Sequence, residues 1–308
     1  MGSVQRAIIL GDPVQTPGMS QAINLPTLEA IRDEDLPEFC QFLTENLNRA
    51  RSAAAWAEAF RQNWCSTKPN NGFLIRHEGR IVGGIGAIYA ERAVHGRTER
   101  FCNITSWCVL DAFRAQSMRL AMELTRQPGF HYTDLTPTDV VSKTLQFLKF
   151  KPMNERHAIW LNLPWPFAGI DRVSVVTDAQ QIARVLAADA AKAYRDHCHL
   201  PWLRHAAVGR QDAWCYVVWK LTRLKGVTGA MIIALSDPAR FLDYRWALGS
   251  HLLLRHGLPY TRVESRLLPR VPVLCIELSG YRSKVFKSDT LTASDMSNLY
   301  SELVALDL

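Results

Sequence analysis

The chain lacks a CxxC pair, an apolar run long enough to cross a bilayer and a dense Lys/Arg tract. Its seven cysteines (Cys40, Cys65, Cys102, Cys108, Cys198, Cys215 and Cys275) are odd in number and widely scattered. That pattern excludes the disulfide framework of a small secreted domain and suits reduced, mostly buried thiols. A spanning helix needs ~20 consecutive apolar residues. The short run Ala7–Leu10 falls well below even the core of a signal peptide. A cytoplasmic protein without membrane association is the expectation. No GxSxG elbow, P-loop or GxGxxG fingerprint is present, which removes the commonest hydrolase and nucleotide signatures. The net charge of +7, from 36 basic and 29 acidic residues, is spread along the chain. It favours anionic ligands but leaves no nucleic-acid footprint, so no nucleic-acid partner is expected. His197, Cys198 and His199, with His205 nearby, match no standard zinc spacing, and residues at i and i+2 diverge on a helix. No metal is expected.

What is present is an ordinary globular composition, 48% hydrophobic and 21% charged over 308 residues. By the usual size prior of about 150 residues per domain, this is two domains. The segment 1–24, with Gly, Pro, Ser and Gln around Ile8-Ile9-Leu10, reads as a loose arm. Pro164-Trp165-Pro166 and Gly169 mark a linker over 164–171. The domains are then 25–163 and 172–308.

In the first domain, a strand at Leu28–Ile31 leads to the acidic helix start Asp33-Glu34-Asp35. Phe39, Phe42, Leu43 and Leu47 recur at helical spacing. Trp56, Phe60 and Trp64 stripe one face of a second helix over Ala53–Trp64, with core packing the simplest account. A hairpin turns at Glu78-Gly79; its second strand is unusually bare at Gly83, Gly84 and Gly86, which asks what approaches its backbone closely. The next strand, Arg97–Leu110, carries Asn103, Thr105 and Ser106, which need partners if buried. It ends at Asp111-Ala112-Phe113 and feeds a helix through Arg114–Leu124, with no Gly or Pro before Pro128. A further strand, His131–Leu135, completes a β-α-β unit. Such a strand-to-helix turn presents unpaired N–H groups and a positive helix end, the usual device for holding phosphate. Ala158–Leu163 reads as the strand closing this domain. Cys108 and His131 sit on neighbouring strands, but core packing explains the thiol better than a nucleophile does.

Over Thr27–Met153 the sequence resembles the GNAT superfamily of acyl-CoA-dependent N-acyltransferases. Val109 falls where that family has a strand-end Val, and Asp111 where it often has Pro. The run Arg114, Ala115, Gln116, Ser117, Met118, Arg119 falls on its Arg-x-x-Gly-x-Gly/Ala pyrophosphate loop. Thr136-Pro137-Thr138-Asp139 opens the next helix, and Leu148-Lys149-Phe150 falls where that helix usually ends in Leu-Gly-Phe. Ser117 and Arg119 replace the two glycines, and Leu145 stands where many relatives carry a general-acid Tyr. The resemblance implies a mixed α/β fold whose sheet is twisted, mostly antiparallel and flanked by helices.

The second half runs strand, helix, hairpin, helix, strand in the same order, suggesting a degenerate GNAT-like domain in tandem with the first. Its strand Arg172–Val176 precedes a capped helix from Thr177 through Tyr194, and a hairpin turns at Lys225-Gly226. A helix over Phe241–Arg255 closes at Gly257, and a strand follows over Thr261–Leu267. Asp237-Pro238-Ala239-Arg240 puts a carboxylate where a pyrophosphate would lie.

The resemblance further implies acetyl-CoA or another acyl-CoA as co-substrate, and a small-molecule, peptide or sugar acceptor; oligomeric state is unspecified. It places the cofactor along Cys108, Val109 and Arg114–Arg119, where Arg119 would give the phosphates the contact that the missing glycine withholds. Asn103 and Ser106 would orient acceptor or water, and Tyr132 would act as acid. Two other readings stay open: a non-catalytic module binding CoA, a nucleotide or another protein, and an aminoacyl transferase of the peptidoglycan-bridge type. The latter would require a tRNA-binding helical arm, which the sequence does not contain.

Overall fold

The computed structural model describes residues 25–62, 64–164, 173–279 and 283–308. The arm 1–24 and most of the linker lie outside these residues. Strand β1 (Thr27–Ala30) precedes helices α1 (Leu36–Asn46) and α2 (Ala53–Arg61), then strands β2 (Gly72–His77), β3 (Arg80–Val94) and β4 (Arg97–Val109). Next come α3 (Ser117–Thr125), β5 (His131–Asp134), α4 (Asp139–Phe147), β6 (Lys151–Pro152) and β7 (His157–Leu161). The second half has β8 (Ser174–Val176), α5 (Ala179–Val185), α6 (Ala188–His197), β9 (Arg204–Arg210), β10 (Ala213–Leu224) and β11 (Val227–Leu235). It ends with α7 (Pro238–His256), β12 (Tyr260–Glu264), β13 (Ile276–Leu278), β14 (Val285–Lys287) and α8 (Glu302–Ala305).

These strands build two mixed, mostly antiparallel seven-stranded sheets flanked by helices, in the orders β1-β2-β3-β4-β5-β14-β6 and β8-β9-β10-β11-β12-β7-β13. In each sheet the fourth and fifth strands are parallel, and the remaining neighbours are antiparallel. The sixth position is exchanged: β14 pairs with β5 and β6, while β7 pairs with β12 and β13. The expectation that the Ala158–Leu163 segment closes the first sheet is therefore corrected. Short apolar strands carry no information about which of two similar sheets they join.

Local sequence explains the elements. Ser52 caps α2 by accepting a bond from Ala55 N–H (3.2 Å), and Thr138 caps α4 from Val141 N–H (3.3 Å). Helix α2 stops at Arg61, short of the predicted Trp64, which instead bridges to Ala90 and donates its indole N–H to the Asp196 carbonyl (3.3 Å). Leu47, expected on the buried stripe of α1, lies just past its end and is exposed. The helix predicted through Tyr194 is broken into α5 and α6, because Leu186 and Ala187 take extended backbone.

The bare strand β3 receives two rings. A Cβ on Gly84 would stand 2.4 Å from the Phe39 ring, and one on Gly86 2.6 Å from that of Phe60. The glycines thus let α1 and α2 lie directly on the sheet, which answers the question their spacing raised. Phe39, Trp56 and Phe60 continue into Ile182, Tyr216 and Ile233 of the second half, with Leu299 and Val304 between, as one hydrophobic core. The opposite face of the first sheet packs on α3 and α4 through Leu120, Leu124 and Leu145. Among the described residues no helix is long and apolar enough to cross a membrane.

Candidate active site

The site grows from a defect in β4. Gly84 pairs with Cys108 and Gly86 with Thr105, so one residue of β3 (Ile85) faces two of β4 (Ser106 and Trp107). This is a β-bulge, and Ser106 takes the left-handed conformation (φ 53°) that the extra residue demands. Beyond Asn103 β4 is no longer paired with β5, which itself ends at Asp134. The parallel pairing covers Phe101–Asn103 against His131–Thr133 and then stops. The unpaired end of β4 carries Cys108 and Val109 to the start of the next helical run at Asp111; this end of the β4–β5 pair is termed the wedge.

Asn103 sits at the apex. Its amide donates to the Thr133 hydroxyl (3.1 Å) and carbonyl (3.3 Å), while its oxygen accepts from Glu302 N–H (2.8 Å). These bonds hold the side chain to both strands and to the C-terminal helix α8. Ser106 lies on the bulge with its hydroxyl 3.2 Å from that of Thr105. Tyr132 points to the other face. It is buried against Phe130 and Phe150 and donates to the Gln127 carbonyl (2.5 Å), and burial pushes its phenol well up. The structure thus brings Asn103 and Ser106 to the wedge and leaves Tyr132 in the α3–α4 core. Leu145 is fully buried in that core.

Cys108 is half-buried, and burial raises its thiol, which keeps it protonated. His131 lies between Glu99 (3.1 Å) and Ser288 (2.8 Å) and is engaged there. His197 is held between the Ala193 and Leu299 carbonyls (2.8 and 3.0 Å), tilted against Trp64 and edge-to-face with Tyr300.

The loop after β4 differs from a simple tight turn. Asp111–Gln116 winds as a six-residue 3-10 helix that runs straight into α3, and Ser117 N–H donates to the Arg114 carbonyl. The free end of the helical run is therefore at Asp111 rather than Ser117. Arg114 and Ala115 are exposed, while Gln116, Ser117 and Met118 are half-buried. Arg114 pairs with Asp111 (2.8 Å), and exposed Arg119 donates to Gln116 (2.6 Å). Both guanidiniums stand in solvent at the mouth with weak local partners.

Sequence reasoning missed the residues that line the apex. Leu135 N–H and the Thr136 hydroxyl donate to Glu302 Oε1 (2.8 and 3.0 Å), and Asp134 is buried beside it. Burial first, and then the Glu302 charge, pushes the Asp134 carboxyl well above its usual range; burial likewise raises Glu302. Glu302 Oε2 is buried with no hydrogen-bond partner among the described residues. Asp134 could have been suspected from its place at a strand end. Glu302 lies 167 positions beyond Leu135 and carries no sequence signal.

The structure resembles three solved proteins over most of their length. A GCN5-related N-acetyltransferase from Anabaena variabilis ATCC 29413 is 12% identical, with TM-score 0.55 over 85% of this chain and 72% of that one. One from Kribbella flavida is 14% identical, with TM-score 0.54 over 87% and 72%. A probable N-acyltransferase from Enterococcus faecalis V583 is 10% identical, with TM-score 0.51 over 85% and 72%. The chain has the GCN5-related N-acetyltransferase fold. At these identities the likeness is one of fold alone. No protein-family model and no curated protein matches the sequence.

Proposed function

We propose that the chain is an acyl-CoA-dependent N-acyltransferase that moves an acetyl or other acyl group to an amine or hydroxyl of a small-molecule, peptide or sugar acceptor. The observation that carries this reading is the bulged β4, whose ladder with β5 ends at Asn103 in a sheet of GNAT fold, so that in this reading the strand beyond it bonds a ligand on that side. In this reading Arg114 and Arg119 take the pyrophosphate, with Ala115, Gln116, Ser117 and Met118 forming the floor beneath it. The thioester lies along Cys108 and Val109, whose backbone polarises its carbonyl. The acceptor nitrogen or oxygen attacks the carbonyl carbon, the C–S bond breaks, and CoA leaves as the thiol with a proton from the acceptor. That proton passes through water or a nearby base, and the paired Thr105 and Ser106 hydroxyls orient the acceptor or that water. Asn103 acts by holding the apex. The second half shapes the acceptor side, since its core is continuous with that of the first.

A second reading is favoured by one feature: Glu302 bonds to Asn103 of β4 and to Leu135 and Thr136 just past β5, filling the apex with a buried side chain. A protein that binds an acyl-CoA or related nucleotide without turnover would have such a plug. One experiment separates the two. Acetyl-CoA should raise the melting temperature, and free thiol should appear when a panel of amines is added. A thermal shift without thiol release across the panel supports the binding module. Neither effect would remove both readings.

A further inference from the structure

Two cavities of about 490 and 430 Å³ lie away from the wedge, between the end of β3 and the second half, and share Arg92, Ala234, Leu235, Asp237 and Ser297 on their walls. Arg92, projecting from β3, is the basic residue common to both. Its Nη2 donates to the Asp295 carbonyl (2.8 Å), and its guanidinium lies 4.0 Å over the Phe101 ring and 6.0 Å from that of Tyr300. Among the described residues it has no carboxylate within ion-pair distance, whereas its basic neighbours on the same walls are matched, Lys192 by Asp196 and Arg240 by Asp237. Burial draws Arg92 down to about 10, against the opposing pull of Tyr300 and Asp295, so it stays charged at neutral pH. The carboxylates nearby are already engaged: Glu91 with Ser66 (3.0 Å), Asp237 with Arg240, and Asp295 with Thr292 (2.7 Å) and His95 (3.0 Å). Asp189 is on the exposed rim.

A guanidinium has five N–H donors in a planar fork suited to carboxylate or phosphate, and a charge drawn out of water needs a counter-ion. The larger cavity adds the rings of Trp214, Tyr216 and Tyr300. Its volume falls in the range of small-ligand sites.

We propose that this cleft binds an organic anion, with the carboxylate or phosphate head on Arg92 and an aromatic or apolar body against Trp214, Tyr216 and Tyr300. The site is independent of acyl transfer and stands whether or not the wedge binds acyl-CoA.

The test is calorimetric titration of the full chain with benzoate, phenyl phosphate, inorganic phosphate and neutral benzamide. At least one aromatic anion should bind ten-fold or more tightly than benzamide, and the tighter of the two identifies the head group. Arg92→Gln should weaken that anion about 10- to 100-fold. Ala234→Phe, which fills the junction of the cavities without touching a charge, should abolish binding, and it keeps the test decisive if Arg92→Gln melts early. No binding by either aromatic anion, binding equal to benzamide, or wild-type affinity in both variants would overturn the proposal. Inorganic phosphate binding as tightly as both aromatic anions would overturn the aromatic chamber.

Discussion

Replacing Glu264 by Gln should destabilise the protein more than replacing Lys284 by Met. Glu264 ends β12 in the second sheet, and its side chain is 1% exposed between Arg266 Nε (2.8 Å) and Lys284 Nζ (2.5 Å). Lys284 immediately precedes β14, the strand given to the first sheet, so this cluster ties the exchanged strand to the sheet it left. Burial opposes the charge on Glu264, but Arg266 and Lys284 outweigh it and hold the carboxyl down to about 2. His157, drawn down to about 4 chiefly by burial, is neutral at pH 7. The cluster therefore holds one anion and two cations. Glu264→Gln leaves two uncompensated buried cations, of which Arg266 cannot shed its proton, and breaking such a cluster costs about 3–5 kcal/mol. Lys284→Met leaves a neutral Glu–Arg pair and forfeits one charge-assisted bond, about 1.5–3 kcal/mol. With an unfolding entropy of roughly 2.1 cal/mol/K per residue over 308 residues, these become falls in Tm of about 5–8 °C and 2–5 °C. Differential scanning calorimetry at pH 7 measures both. A smaller loss for Glu264→Gln than for Lys284→Met would refute the charge count. Because the depressed carboxyl stabilises the fold above its unfolded value of about 4.3, the wild-type advantage over Glu264→Gln should disappear as pH falls from about 4.3 towards 2.

The other expectations are more local. Gly84→Ala should cost about 1–3 kcal/mol, because its Cβ would stand 2.4 Å from the Phe39 ring, and Phe39→Leu should recover much of it in a urea melt. Asp134→Asn should melt above wild type at pH 8, with the gap closing towards pH 4. The Asp134 carboxyl, raised by burial and by Glu302, favours folding when protonated and loses that support as pH rises, so a constant gap would contradict the placement of Asp134 beside Glu302. Residues 1–164 and 165–308 produced as separate chains should co-purify when expressed together and fail to fold apart, since each sheet takes its sixth strand from the other half. Two soluble, well-melting fragments would argue against the exchange as a stabilising feature.

The β-α-β unit was legible because its apolar, β-branched strand and glycine-free helix carry opposite periodicities within twenty residues. The glycines of β3 announced a close approach, though not the Phe39 and Phe60 rings that make it. The exchange was hidden, since His157–Leu161 and Val285–Lys287 would look the same in either sheet. The apex was hidden for another reason. Glu302 reads as an ordinary solvated charge, and only tertiary structure brings it beside Asp134, Leu135 and Asn103. Arg92 is one of many arginines in the sequence, and its missing counter-ion is visible only in the fold. The resemblance casts Tyr132 as acid; strand alternation turns it to the core, where its phenol donates to a backbone carbonyl.

Calorimetric titration of acetyl-CoA into the wild type, Arg119→Ala and Arg119→Gly tests the acyl-CoA assignment most directly. A charge-assisted phosphate contact is worth ~1.5–3 kcal/mol, so Arg119→Ala should weaken binding about 10- to 100-fold. Arg119→Gly should lose at least as much, because Arg119 lies inside α3, where Gly removes the same charge and also loosens the helix. Equal affinities in all three proteins, with unchanged apo melting, or no binding by the wild type, would contradict the assignment of this loop and wedge to an acyl-CoA.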